Sequence, residues 1–122
     1  MGLINNTEIN DVHKLNEEFG GILADFEEIV KAYKMIRDIV MLTTHRLILM
    51  DKKGVTGRKT SFLSIPYTRI NKYSCENAVY ADLDAEVRIY IAGEKKPLEF
   101  TIERGSKHIN EFNKILSTYL LK

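Results

Sequence analysis

The chain reads as an α+β domain, a strongly bent antiparallel sheet of about seven strands closed at one end by a helix. Three observations predict this. Ala85, Val87, Ile89 and Ile91 alternate with Glu86, Arg88, Tyr90 and Ala92, the period-two pattern of a sheet with one wet face. Leu98, Phe100 and Ile102 repeat it against Glu99, Thr101 and Glu103. Behind them, Ile109, Phe112, Leu116, Tyr119 and Leu120 form one apolar helical stripe, reinforced by Ile115, with Ser106 placed to cap the helix. A meander of that length must curl or pack against something, and the amphipathic helix is the natural plug of a half-open barrel.

The earlier elements follow in order. Ile9, Val12, Leu15 and Phe19 recur at spacings of three and four between Asn10, a possible N-cap, and the stop Gly20-Gly21, which predicts a short amphipathic helix. From Glu28 to Ile36, β-branched and aromatic residues interrupted by Lys31 and Lys34 predict a strand, and Arg37-Asp38 a tight reversal. Ile39 to Thr43 and Leu47 to Met50 are short apolar runs joined by Thr44-His45-Arg46, a second hairpin. Asp51 to Gly57 supplies turn residues and two glycines. Arg58 to Ile65 is the next strand, closed by Pro66, and Ile70 to Glu76 is a weaker one. Residues 1–21 stand as a helical extension, and 22–122 as the domain.

Composition narrows the function classes. A chain of 122 residues with 44% hydrophobic and 29% charged residues holds one domain and is neither disordered nor fibrous. Its longest apolar runs, Ile39 to Leu42 and Leu47 to Met50, are far shorter than the ~18 residues of a membrane span. Thr7 comes one place too late for a myristoylation signal and no basic, apolar leader opens the chain, so a cytoplasmic location is expected. Cys75 is the only cysteine, which excludes an internal disulfide and a multi-cysteine metal site. The net charge of +1 is unevenly spread: residues 1–30 carry −6, 31–75 carry +8 and 76–122 carry −1. Such a basic middle suits an anionic surface or an acidic partner, or equally a solvated sheet face.

An ordered set of motifs then resembles the bacterial pleckstrin-homology (PH)-like family. Tyr33 to Asp38, Leu42-Thr43-Thr44-His45-Arg46-Leu47-Ile48-Leu49-Met50 and on to Lys59, Ser64-Ile65-Pro66-Tyr67, Ile70, and Asp82 to Ile89 follow the family's sequence in order, over roughly residues 22–120. Where the family often has Asn before the Arg, this chain has His45. The resemblance implies a seven-stranded bent sheet with a closing C-terminal helix. It also implies a non-enzymatic domain, similar to ones that self-assemble through their sheets. In the similar eukaryotic PH domains, phosphoinositides bind beside the first hairpin, where this chain has Lys34 and Arg37.

No catalytic constellation accompanies this pattern. Gly54-Val55-Thr56-Gly57-Arg58-Lys59-Thr60 has two residues between its glycines where a phosphate loop needs four, so it reads as a hairpin turn. Its flanking Lys52, Lys53, Arg58 and Lys59, together with Lys34 and Arg37, are the candidate anion-binding residues. His13, His45 and His108 lack metal-ligand spacing, and no cofactor is expected. Asp82, Asp84 and Glu86 read as a solvated turn, and Cys75 as a small apolar strand residue. Tyr67, Arg69, Lys72 and Tyr73 lack any nucleic-acid motif, so no nucleic-acid partner is expected. The expectation is an interaction module that pairs sheet edges with a protein partner or with copies of itself, in a ring where the rotation closes. The alternative is peripheral contact with an anionic membrane surface.

Overall fold

Period-two and apolar-run segments become eight strands in the computed structural model, which describes residues 8–9, 12–35, 38–53, 59–77 and 84–122. Strands β1 (Glu8–Ile9), β2 (Ile29–Lys34), β3 (Ile39–Thr43), β4 (Arg46–Lys53) and β5 (Lys59–Pro66) form an antiparallel five-stranded sheet in chain order. Strands β6 (Ile70–Asn77), β7 (Ala85–Ile91) and β8 (Leu98–Ile102) form a three-stranded one. The sheet expected from sequence is therefore two sheets, seven main strands plus the two-residue β1, joined at corners rather than closed into a barrel. Arg37, Gly54 to Arg58 and Asp82 lie outside the described residues, with the turns expected there.

The register explains why β3 is continuously apolar while β7 alternates. Val40 opposes Leu49 and Leu42 opposes Leu47 on the inner face, and Ile39 opposes Met50 and Met41 opposes Ile48 on the outer face. Both faces are covered, so all five residues of β3 are buried. The inner face packs with β7 and with helix α2 (Ile109–Leu120) into the main core around Tyr33, Val87, Ile89, Phe112 and Leu116. The outer face is covered by helix α1 (Val12–Phe19), whose Leu15 and Phe19 sit on Ala32, Met41 and Ile48. The outer face of β7, by contrast, meets water, and its Glu86 is exposed.

Two corners join the sheets. Pro66 has no amide to extend the ladder, and a 3₁₀ turn (Tyr67–Arg69) redirects the chain into β6. Opposite, Met35 bridges to Ile102, and the Glu103 N–H donates to the Lys34 carbonyl at 3.1 Å. The chain then turns through Arg104, at φ 53°, whose N–H donates to Asp84 Oδ1 at 2.8 Å. Gly105 follows because nothing larger fits: a Cβ there would lie 2.6 Å from Ile102 Cγ2 and 2.8 Å from its Cβ.

Two boundaries differ from the sequence reading. Ile9 pairs with Ala32 in β1 and does not open α1, because the edge amides and carbonyls of β2 take a backbone partner there. Ser106 lies inside a 3₁₀ turn (Gly105–Lys107), so α2 begins at Ile109 after His108 without a side-chain cap bond. The close approach at Gly105 holds the chain in that turn before α2 can start. Among the described residues no helix is long and apolar enough to cross a membrane.

Candidate functional site

A densely bonded polar cluster sits where the segment entering β2 crosses the β3–β4 hairpin. Arg46, first residue of β4, donates from Nε to Glu27 Oε2 at 2.7 Å and from Nη2 to Glu27 Oε1 at 2.9 Å, a bidentate pair. Its Nη2 also donates to the Ile22 carbonyl at 2.8 Å and its Nη1 to Ser64 Oγ on β5 at 2.9 Å. Glu27, with a side chain 2% exposed, accepts further bonds from Thr43 Oγ1 at 2.6 Å and the Ala24 N–H at 3.0 Å. One guanidinium thus ties the incoming segment, the hairpin and β5 together.

This geometry sets the acid behaviour of Glu27. Burial alone would raise its carboxyl pKa, but the hydrogen bonds from Arg46, Thr43 and the Ala24 amide outweigh it and hold it at about 2, below the ordinary 4.5. A depressed folded-state value contributes stability that is fully present above pH 4.5 and is lost as pH falls toward 2. That contribution is on the order of 3 kcal/mol. Urea unfolding between pH 6 and pH 2 should show the native chain losing about that much more stability than Glu27→Gln. Parallel acid limbs for the two proteins would refute the assignment.

Ser64 belongs to β5, an eight-residue strand that among the described residues lies at the edge of the five-stranded sheet. Phe62 opposes Met50 and so lies on the outer face, at the rim of the apolar patch that α1 covers. Leu63 opposes Leu49 on the inner face. They are 43% and 50% exposed, two adjacent apolar side chains facing opposite sides of a strand that has no second partner among the described residues. The reading from sequence missed them, yet Ser61-Phe62-Leu63-Ser64 carries a signal: an apolar pair inside an alternating strand must leave one member on the less covered face.

The strand register places the candidate anion residues among the described ones, Lys34, Lys52, Lys53 and Lys59, toward the same end of the five-stranded sheet. Lys34 is half-buried and pairs with Glu103 at 3.8 Å. Lys52, Lys53 and Lys59 lie at the far end of β4 and β5, where Lys53 and Lys59 are direct Cα partners. Arg37 and Arg58 fall outside the described residues.

Other clusters resolve into structural roles. His45 stands edge-on to the ring of Phe26, centroids 4.8 Å apart, on the β3–β4 turn, while Cys75 packs against the main core from β6. Burial pushes the Cys75 thiol up to about 11, so it stays protonated at neutral pH. The Tyr67 hydroxyl donates to the Thr43 carbonyl at 2.7 Å, and the Tyr73 hydroxyl meets Ser117 Oγ at 2.7 Å. Lys72 lies over the Tyr90 ring at 4.7 Å.

On the outer face of the three-stranded sheet, Arg88 bonds Glu99 at 3.0 Å and Glu76 at 3.3 Å, with Glu86 at 4.0 Å. An open groove of about 260 Å³ lies there, lined by Glu86, Val87, Arg88, Glu99, Phe100 and Thr101. Among the described residues no group of three His, Cys, Asp or Glu side chains is placed to hold a metal.

Comparisons with known proteins agree with this architecture. The family model described as bacterial PH domain matches residues 1–120. The Bacillus subtilis protein YjqA, itself described as uncharacterized, is 38% identical over 116 residues, 95% of this chain and 93% of that one. A crystal structure of a Shewanella loihica protein with a pleckstrin-homology domain superposes with a TM-score of 0.83 at 38% identity, covering 95% of this chain and 97% of its own. A pleckstrin homology domain from Shewanella amazonensis gives 0.78 at 42% identity, with 97% and 94% covered.

Proposed function

This chain belongs to the bacterial PH domain family, and from that premise we propose that it is a non-enzymatic interaction module whose β5 edge pairs with the backbone of another chain, a second copy first. The observation that supports this is the β5 edge, which no described strand covers. Natural edges are blunted by interior charge, proline or bulges. Between Lys59 and Pro66, β5 has none of these, and it exposes Phe62 and Leu63 instead. An added strand would gain main-chain hydrogen bonds along the edge and cover one of these side chains on each face. Pairing β5 with a different edge of a neighbour is heterologous, and such contacts build a ring where the rotation closes.

Light scattering across concentration and salt tests it. The native chain should give a fixed multiple of 14.1 kDa. Phe62→Lys with Leu63→Lys should be monomeric and as stable as the native chain within about 1 kcal/mol, since both positions are half-exposed. A native monomer at every concentration, or an assembly indifferent to the double substitution, would sink the reading.

The register favours a second reading, an anion site at the far end of the β4–β5 hairpin. Lys53 and Lys59 are Cα partners there, which puts two residues of like charge in register at the end of the hairpin. Sedimentation with anionic vesicles at low salt should exceed that with neutral ones and fade as salt rises. Equal recovery with both would exclude it.

A further inference from the structure

We infer that helix α1 (Val12–Phe19) is a displaceable strap over the outer face of the five-stranded sheet. The face beneath it is finished core: Ala32, Met41, Ile48 and Met50 are at most 1% exposed. Its cover is slight. Helix α1 has eight residues, well below the length that is stable alone, and fully buries only Leu15 and Phe19. At one end it is held by β1, two residues paired with Tyr33 and Ala32. At the other, the chain is fixed just past the helix, where Arg46 grips the Ile22 carbonyl.

Between helix and grip lie Gly20 and Gly21, and the closed form requires neither. A Cβ on Gly20 would meet only Asn16 Oδ1, at 3.9 Å, a Cβ on Gly21 nothing within 4 Å, and neither has a positive φ. Two successive glycines that the closed backbone does not demand lie where a hinge is needed, between a pinned residue and a weakly anchored helix. Local openings come from segments with few buried anchors. Opening here uncovers an apolar face that runs without interruption to Phe62, the Cα partner of Met50.

Thiol labelling in a Cys75→Ser background tests the strap. Met41→Cys reports the outer face, and Val87→Cys, fully buried in the main core, reports global unfolding. The Met41→Cys thiol should react at least about tenfold faster than the Val87→Cys thiol in native buffer. Adding Gly20→Ala and Gly21→Ala should slow Met41→Cys labelling about fivefold or more, because the open hinge then has less freedom to gain. Where Met41→Cys fails to fold, Ala32→Cys, which removes no volume, reads the same face. Equal rates at the two sites would show that the outer face opens only when the whole domain does. An unchanged Met41→Cys rate in the double-alanine chain would remove the hinge.

Discussion

Arg46→Ala is expected to destabilise the domain by about 3–5 kcal/mol, because it leaves the Glu27 carboxylate buried without its partner. The same change orphans the Ile22 carbonyl and frees Ser64 on β5. Against a total of about 5–15 kcal/mol for a domain, this places the variant near the edge of folding. The thermal midpoint should fall by roughly 10–20 °C. Arg46→Lys should recover only part of the loss, since an ammonium cannot make the bidentate bond. Removing both charges, Glu27→Leu with Arg46→Met, should cost far less than Arg46→Ala alone, because the pair's desolvation largely offsets its attraction. A double-mutant cycle by urea unfolding measures this, and a coupling below about 0.5 kcal/mol would mean that the pair is not the clamp described.

Phe112→Ala is expected to cost about 3–5 kcal/mol as well, through a different mechanism. Its ring is fully buried where α2 meets the inner face, with centroids 5.6 Å from Tyr33 and 6.3 Å from Phe100. Truncation opens a cavity under the helix that closes the sheets, and Tyr33, whose hydroxyl donates to Glu111 one position before Phe112, loses its neighbour. Phe112→Leu should cost much less, about 1 kcal/mol, by keeping most of the volume. Guanidinium unfolding distinguishes them. Equal losses for Ala and Leu would point to ring geometry rather than to volume.

What was legible in the sequence follows from how local each signal is. Strands β7 and β8 and helix α2 were readable because one face of each meets water or core at a fixed period, which the residue types record directly. The continuous run of β3 was readable as a strand, but not the reason for it, since only the fold shows a helix on one face and a core on the other. Strand β1 was hidden inside a helical spacing because a two-residue pairing leaves no period. Glu27 looked like one more acid in an acidic segment, and its burial depends on Arg46, nineteen positions away. Lys34 stands out in the sequence by its place beside the first hairpin and the other lysines by their charge, and neither signal reveals that Lys34 faces Glu103.

The corner between β2 and β8 has a kinetic consequence. Met35 with Ile102, Lys34 with Glu103 and Tyr33 with Glu111 all join the first long strand to segments near the far end of the fold. Loop closure over such separations is costly before it is rewarded, so these contacts form late, and folding belongs to the slow, non-local regime of milliseconds to seconds. On the ribosome, β2 to β5 emerge and can pair while their inner apolar face still waits for α2. Until the helix arrives, that bare face and the β5 edge are available to any other nascent chain, and the order of synthesis makes this the interval of greatest aggregation risk.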